Sequence, residues 1–252
     1  MSFDVAARSY GQFMGRYSEP LADELVRLLS VEPGRRALDV GCGPGALTAR
    51  LVDRLGVASV CAIDPSAPFV AAARERFPDL DVRQGRAEEL PWPDDSFDLA
   101  AASLVVHFMR DPVAGLREMG RTVRPGGTVA ATVWDHAGDR GPISPFWRAV
   151  RSLDPAAPDE SDLAGARAGH LASLFVQAGL DVIWDTVLTV RVRYLAPEQW
   201  WEPYTLGVGP AGAYLAGLAD AQREALRRRC LEQLPPAPFD VDATAWCVIG
   251  RV

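Results

Sequence analysis

The chain has 252 residues and a mass of 27.2 kDa, with 48% apolar and 23% charged residues, which suits one large packed domain and excludes wholesale disorder. Its formal charge is −7, and its one basic run, Arg227-Arg228-Arg229, reads as a solvated helix face, so nucleic acid is a poor partner. All 26 basic residues are arginine; with no lysine amine, Schiff-base, pyridoxal-phosphate and lysine P-loop chemistry are excluded.

Residues 18–30 place Leu21, Leu25, Val26, Leu28 and Leu29 at helical spacing, with Ser18 as N-cap and Pro20 in the first turn. Ala37-Leu38-Asp39-Val40 reads as a short buried strand entering Gly41-Cys42-Gly43-Pro44-Gly45, and residues 46–55 resume helical spacing. The alternation repeats with a strand over 57–63 ending at Asp64, a helix over 66–76 and a strand over 80–83. It continues with a strand over 97–102, a helix over 111–123 closed by Arg124-Pro125-Gly126-Gly127, and a strand over 128–134. This rhythm argues for a parallel sheet covered on both faces. After Trp134 it breaks. A short aromatic helix over 146–153 sits between polar linkers, then come a helix over 167–178 and an alternating strand over 182–192. Residues 197–234 read as a helical insertion and 244–252 as a final strand.

Cys42, Cys61, Cys230 and Cys247 show no metal-type spacing, and His107, His136 and His170 are scattered, so no metal site is expected. Residues 1–12 lack the charged start and apolar run of a leader, and no apolar stretch reaches the ~18 residues of a membrane span. The expectation is a cytoplasmic protein with free thiols and no membrane span.

The turn after the first strand carries the strongest signal. Its glycines let a ligand approach the backbone, and amides at the start of the next helix can donate to it. With Ala46 the turn also fits the dinucleotide pattern GxGxxG/A. Asp64, at the end of the second strand, can accept both hydroxyls of an adenosine ribose, a feature common to nicotinamide dinucleotides and S-adenosylmethionine.

With Gly85-Arg86-Ala87-Glu88 through Pro93-Asp94-Asp95-Ser96-Phe97-Asp98, and Arg124-Pro125-Gly126-Gly127-Thr128 beyond it, the chain resembles the class I S-adenosylmethionine-dependent methyltransferases. Within them it is most similar to the small-molecule, ubiquinone/menaquinone methyltransferase-like branch. The likeness covers residues 36–135 and takes in Tyr10–Ser18, which is similar to the N-terminal cap helix of one subgroup. It implies an α/β fold: a doubly wound, seven-stranded, mostly parallel sheet, the Rossmann-like methyltransferase core. The last strand is expected antiparallel beside the sixth, with a helical lid from 1–17, 135–166 and 197–234. The expected divisions are a cofactor lid over 1–17, the binding core over 18–134, remaining core with lid and acceptor insertions over 135–234, and the final strand over 235–252.

The resemblance also implies roles. The backbone of Gly41, Cys42 and Gly43 would line the methionine part of S-adenosylmethionine, and Asp39 would support its amino group through water. Asp64 would hold the ribose, with Pro65 and Ser66 beside it. Arg86, Ala87 and Glu88 would face the adenine, the Ala87 amide bonding a ring nitrogen, and Ser103 would turn its carbonyl toward the methionine amino group. Arg86 departs from the family, which has Asp there; a guanidinium cannot accept from the adenine amino group, so it is expected to stack on the purine or pair with Glu88.

Tyr10, Arg16 and Tyr17 are expected to close over the methionine end, Arg16 pairing with its carboxylate. The Cys42 thiol is expected to fill the turn rather than react. His107 is the candidate general base, against a plain packing role. Phe146, Trp147, Trp200, Trp201 and Tyr204 are read either as walls of an acceptor pocket or as core. The function expected is methyl transfer to a small apolar or aromatic acceptor. The rivals are a non-catalytic S-adenosylmethionine-binding module and a nicotinamide-dependent oxidoreductase; for the latter, no Tyr/Lys pair is possible without lysine.

Overall fold

Apolar residues alternate along the first strands so that neighbours point to opposite faces. Leu38, Val40, Cys61, Ile63, Ala100 and Ala102 face one side, and Ala37, Val60, Ala62, Leu99 and Ala101 face the other. A computed structural model describes residues 7–157 and 160–252. Residues 1–6 of the expected lid, and 158–159 of the insertions, lie outside the described residues.

The strands are β1 (Ala37–Val40), β2 (Val60–Asp64), β3 (Asp81–Gln84), β4 (Phe97–Ser103), β5 (Val123–Trp134), β6 (Asp181–Tyr194) and β7 (Phe239–Arg251). They form one seven-stranded sheet in the order β3-β2-β1-β4-β5-β7-β6. The first five pair in parallel, and β7 runs antiparallel to both β5 and β6. The doubly wound sheet and the antiparallel last strand beside the sixth are therefore as the sequence implies. Between β1 and β4 the winding reverses, and in such sheets ligands bind there, outside the carboxyl ends of the strands.

On one face lie α2 (Arg16–Leu28), α3 (Ala46–Leu55) and α4 (Ala67–Arg76), burying Leu25, Leu51 and Val70. On the other lie α5 (Pro112–Thr122) and α7 (His170–Gln177), burying Leu116, Met119 and Phe175. Each such side chain contributes about 1.5–3 kcal/mol through its removal from water. A third cluster joins Phe13 and Tyr17, α6 (Ser144–Leu153), α8 (Pro197–Trp201), α9 (Gly209–Ala216), α10 (Asp220–Gln233) and the far ends of β6 and β7.

Three local expectations are corrected. Ser18 does not cap a helix. α1 (Ala7–Tyr10) runs through a π-helical turn, Gly11–Gly15, into α2, because Phe13 and Tyr17 supply a buried face upstream of Leu21. The Arg124–Gly127 segment is a bulge within β5 rather than a turn before it, since Phe97 pairs with Val123 and Leu99 with Thr128. β7 begins at Phe239, five residues before the expected start. Its charged residues there face charged partners on β6: Arg191 pairs with Asp242 and Arg193 with Asp240, while Tyr194 stacks on Phe239 at 5.5 Å.

Candidate functional site

Two cavities open beyond the carboxyl ends of β1, β2 and β4. The larger holds about 110 Å³. Asp39 on β1 lines it with Gly41, Cys42 and Gly43 of the following turn, and Asp64, Pro65 and Ser66 line it from the end of β2. Ser103 reaches it from β4 and Tyr10 from the N-terminal helix.

Gly41 has φ +72°, and a Cβ there would lie 2.4 Å from Val105 Cγ2, so only glycine meets both demands. Gly41 and Cys42 donate their amides to the Ile63 carbonyl (2.8 and 3.0 Å), and Gly45 donates to the Cys42 carbonyl (3.0 Å). Gly43 donates to Asp64 Oδ2 at 2.8 Å. These four amides are spent inside the protein; the turn offers a ligand close backbone approach and carbonyl oxygens.

Asp64 is buried, and its Oδ1 accepts the Ser66 amide at 2.8 Å. Burial raises its pKa, and the amides of Ser66 and Gly43 work against that rise. Each carboxylate oxygen has a second lone pair for a ligand hydroxyl. Asp39 lies deeper. Burial pushes its pKa up to about 7, the Thr48 hydroxyl at 2.5 Å from Oδ2 opposes the rise, and the Asp64 charge adds to it. Burial, then Asp39 and Asp64, raise the Cys42 thiol well above its ordinary value, so it stays protonated and fills the turn.

The Ser103 and Thr132 hydroxyls meet at 3.2 Å. The next residue, Leu104, has φ +63°, a left-handed conformation costing a β-carbon residue about 1–2 kcal/mol. It stands where the two cavities meet.

Arg86, Ala87 and Glu88 lie outside the cavity lining. Gly85 donates to the Asp64 carbonyl at 3.1 Å, which fixes the loop beside the site. Glu88 Oε1 accepts the amides of Arg110 (2.7 Å) and Asp111 (3.3 Å), so this carboxylate fastens the loop to the start of α5 instead of pairing with Arg86. Ala87 is buried next to Gly115 of α5, and Arg86 is exposed.

Arg16 and Tyr17 also lie away from the cavity. The Tyr17 and Tyr194 hydroxyls meet at 2.8 Å, tying α2 to β6, and the exposed Arg16 guanidinium lies over the Tyr194 ring at 5.5 Å. Arg16 points about 100° from Tyr17 and out to solvent, and the π-helical turn Gly11–Gly15 separates both from Tyr10. Tyr10 alone reaches the cavity, edge-on to Phe69 at 5.2 Å. Burial, then Asp64, push its phenol up to about 12.

The second cavity, about 40 Å³, shares Tyr10, Leu104 and Phe108 with the first and is lined by His107. His107 is 7% exposed, and burial first, then His136, hold its pKa well below the ordinary value. Its buried Nδ1 has no hydrogen-bond partner. The rings of His107 and His136 are 6.1 Å apart.

Phe146, Trp147, Trp200, Trp201 and Tyr204 line neither of these cavities, so the core alternative holds for them. Tyr204 stacks on Phe146 at 4.7 Å, meets Phe13 edge-on at 4.9 Å and Trp200 at 4.9 Å. Trp147 Nε1 donates to Glu160 Oε2 at 2.8 Å, and Glu160 lines the second cavity.

Sequence reasoning missed Ser18, Phe69 and Leu104 in the first cavity and His136 and Glu160 in the second. The buried Ser18 Oγ has no partner; the apolar Phe13 and Tyr17 upstream were the signal that it sits inside a helix. The first cavity thus combines two buried carboxylates, an unpartnered hydroxyl and apolar walls, and among the described residues no arginine lines it. That donor set suits a ligand with a diol and positive charge.

Among the described residues, no helix is long and apolar enough to cross a membrane. No group of three His, Cys, Asp or Glu residues there is placed to hold a metal.

Residues 38–131 match the family model of a methyltransferase domain. An uncharacterised methyltransferase of Mycobacterium bovis is 36% identical over 140 residues, 56% of this chain and 54% of that protein; the match thus spans about half of the relative's length. The ubiquinone/menaquinone biosynthesis C-methyltransferase of Stenotrophomonas maltophilia is 39% identical over 109 residues, 40% of this chain and 43% of that one. An uncharacterised protein encoded in a Streptomyces fradiae transposon is 36% identical over 253 residues, 98% of this chain and 68% of that one. In structure, the Haloferax volcanii complex of the Trm112 methyltransferase activator with a methyltransferase contains a similar chain. Its TM-score is 0.60 at 21% identity, over 97% of this chain and 93% of that one, a likeness of fold. The motif turn, the acid at the end of β2 and the strand order agree with that match, and the chain carries a methyltransferase domain on the Rossmann-like methyltransferase fold.

Proposed function

We propose that the protein transfers a methyl group from S-adenosylmethionine to a small, largely apolar acceptor. The observation that carries this reading is the pair of buried carboxylates, Asp39 and Asp64, at the ends of adjacent strands in a cavity without arginine among the described residues. Asp64 would take the ribose hydroxyls on the lone pairs that Gly43 and Ser66 leave open. Asp39, with Thr48 holding its side chain, would face the amino end of the methionine, and the Ser18 hydroxyl is the buried donor left for its carboxylate. Tyr10 and Phe69 would cover the bound molecule. The Arg86–Glu88 loop would border the adenine through its backbone.

When bound, S-adenosylmethionine supplies an already activated methyl group, so the protein's task is to position and exclude water. Holding the acceptor in line is worth about 7–11 kcal/mol. His107, neutral and with Nδ1 unpartnered, is the proton acceptor where the acceptor brings a proton.

Titration calorimetry with S-adenosylhomocysteine and, separately, NAD tests the reading. Binding of the first and not the second is expected; the reverse would make the chain a nicotinamide enzyme. Transfer of a labelled methyl group to a metabolite panel then separates an enzyme from a module that only binds the cofactor.

A further inference from the structure

We infer that the outer edge of β6 pairs antiparallel with β6 of a second copy of the chain, joining the two sheets into one. β3 and β6 are the two edges of the sheet, and they are built differently. β3 has four residues and is charged, Arg83 pairing with Asp81 beside it. Shortness and charge protect an edge from adding another strand. β6 has fourteen residues with no proline or glycine among them, and its outer side meets no strand among the described residues. Trp184 is 55% exposed, and Ile183 and Val187 close to it are exposed as well, the opposite of a protected edge.

The order of residues along β6 fits a copy of itself. Around a twofold axis at Leu188, Asp185 of each copy stands opposite Arg191 of the other, so the contact gains two cross-strand pairs of opposite charge. Asp185 is exposed and has no cationic partner among the described residues. Arg191 is exposed and gives Nε and Nη2 to Asp242 at 2.6 and 2.9 Å, which leaves Nη1 to donate across the new contact. The same axis sets Trp184 opposite Val192 and Val187 opposite Thr189, aromatic and β-branched pairs that suit a sheet surface. The bulge between Val182 and Trp184 ends the pairing. Neighbouring registers fit worse: an axis at Thr189 sets Val187 against Arg191, and one at Val187 sets Arg191 against the bulged Ile183.

Sedimentation equilibrium of the full chain, from about 5 to 200 µM, tests the pairing, and a monomer–dimer equilibrium is expected. Asp185→Arg and Arg191→Asp each set like charges opposite one another twice, so each alone should weaken self-association by about tenfold or more. Mixing the two variants restores both pairs of opposite charge, and the mixture should associate about tenfold more tightly than either component. Should Arg191→Asp disturb the fold beside Asp242, Trp184→Lys, which removes the exposed indole opposite Val192, is judged instead and should weaken self-association by about tenfold. A wild-type chain that stays monomeric over the whole range overturns the inference. So does a dimer indifferent to Asp185→Arg and Trp184→Lys, which places the contact elsewhere, and so does a mixture of folded variants no more associated than its parts.

Discussion

In residues 37–134 the ligand-facing groups stand on backbone that is itself hydrogen-bonded in place: Gly43 and Ser66 grip Asp64, and the Ile63 carbonyl holds Gly41 and Cys42. In residues 135–252 the walls of the second cavity rest mainly on packing, with Glu160 held by a directed bond from the Trp147 indole. Ala211 sits in the eight-residue α9 and Val208 just before it, a layer held by packing, with Tyr204 stacked between Phe146, Phe13 and Trp200. One region fixes atoms through directed bonds, where a wrong residue costs affinity. The other fixes a shape through close packing, where a wrong residue costs stability.

Breaking the packed region should give the largest effect. Trp200 is 2% exposed and Tyr204 likewise, so Trp200→Ala or Tyr204→Ala should cost about 3–5 kcal/mol in urea unfolding. Because Phe13 rests on Tyr204 and lines the second cavity, acceptor binding should fall with stability, while S-adenosylhomocysteine affinity of the folded fraction holds. Loss of acceptor binding at full stability would mean these aromatics touch the acceptor after all.

The directed region should respond the other way. Charge-assisted hydrogen bonds are worth about 1.5–3 kcal/mol each, so Asp64→Ala, removing two to the ribose, should weaken S-adenosylhomocysteine by at least about 100-fold. Calorimetry beside a melting curve checks it; equal affinity would reduce Asp64 to a clamp for Gly43 and Ser66.

Asp39 sharpens the contrast by pH. Burial raises its folded pKa to about 7, so the folded protein holds a proton there that the unfolded chain has released. Stability of the free protein therefore declines as pH rises from the ordinary carboxylate range to about 7, then levels off. Affinity for the cationic cofactor should move oppositely, rising through the same interval as Asp39 ionises. Asp39→Asn should flatten both profiles and cost about tenfold in affinity above neutral pH. Parallel denaturation and calorimetry from pH 5 to 8 would reveal it, and an unchanged slope in the variant would assign the pH dependence elsewhere.

The same contrast governs what was legible in the sequence. The first region's signals are local: a strand, a glycine turn and an acid follow one another within 28 residues, from Ala37 to Asp64, and alternating side chains tell both sheet faces. The second cavity gathers Phe13, Leu104, His107, Ile143, Glu160 and Ala211, which no short window contains. Helical spacing finds the aromatics of 146–204 but cannot tell a void from a packed interior. Ser18 was misread because a serine before a proline and an apolar run looks like a cap. Only the burial of Phe13 and Tyr17 places it inside the helix, where its hydroxyl faces the first cavity.

The smallest expected effect concerns Arg16, and it separates two accounts of the N-terminal helix. As a partner of the cofactor carboxylate, Arg16 would carry a charge-assisted bond, and Arg16→Ala would weaken S-adenosylhomocysteine by about tenfold or more. Instead its guanidinium lies over Tyr194 at 5.5 Å, with a long 3.5 Å contact to the Gln199 carbonyl, on the exposed side of α2. An exposed cation–π contact is worth about 0.5–1 kcal/mol. Arg16→Ala should therefore lower stability by no more than about 1 kcal/mol and leave cofactor affinity within about twofold. Tyr10→Ala, which opens the first cavity beside Phe69, should do the reverse: little change in stability, but weaker cofactor binding. A tenfold loss in Arg16→Ala would mean that the helix turns on binding and brings Arg16 inward.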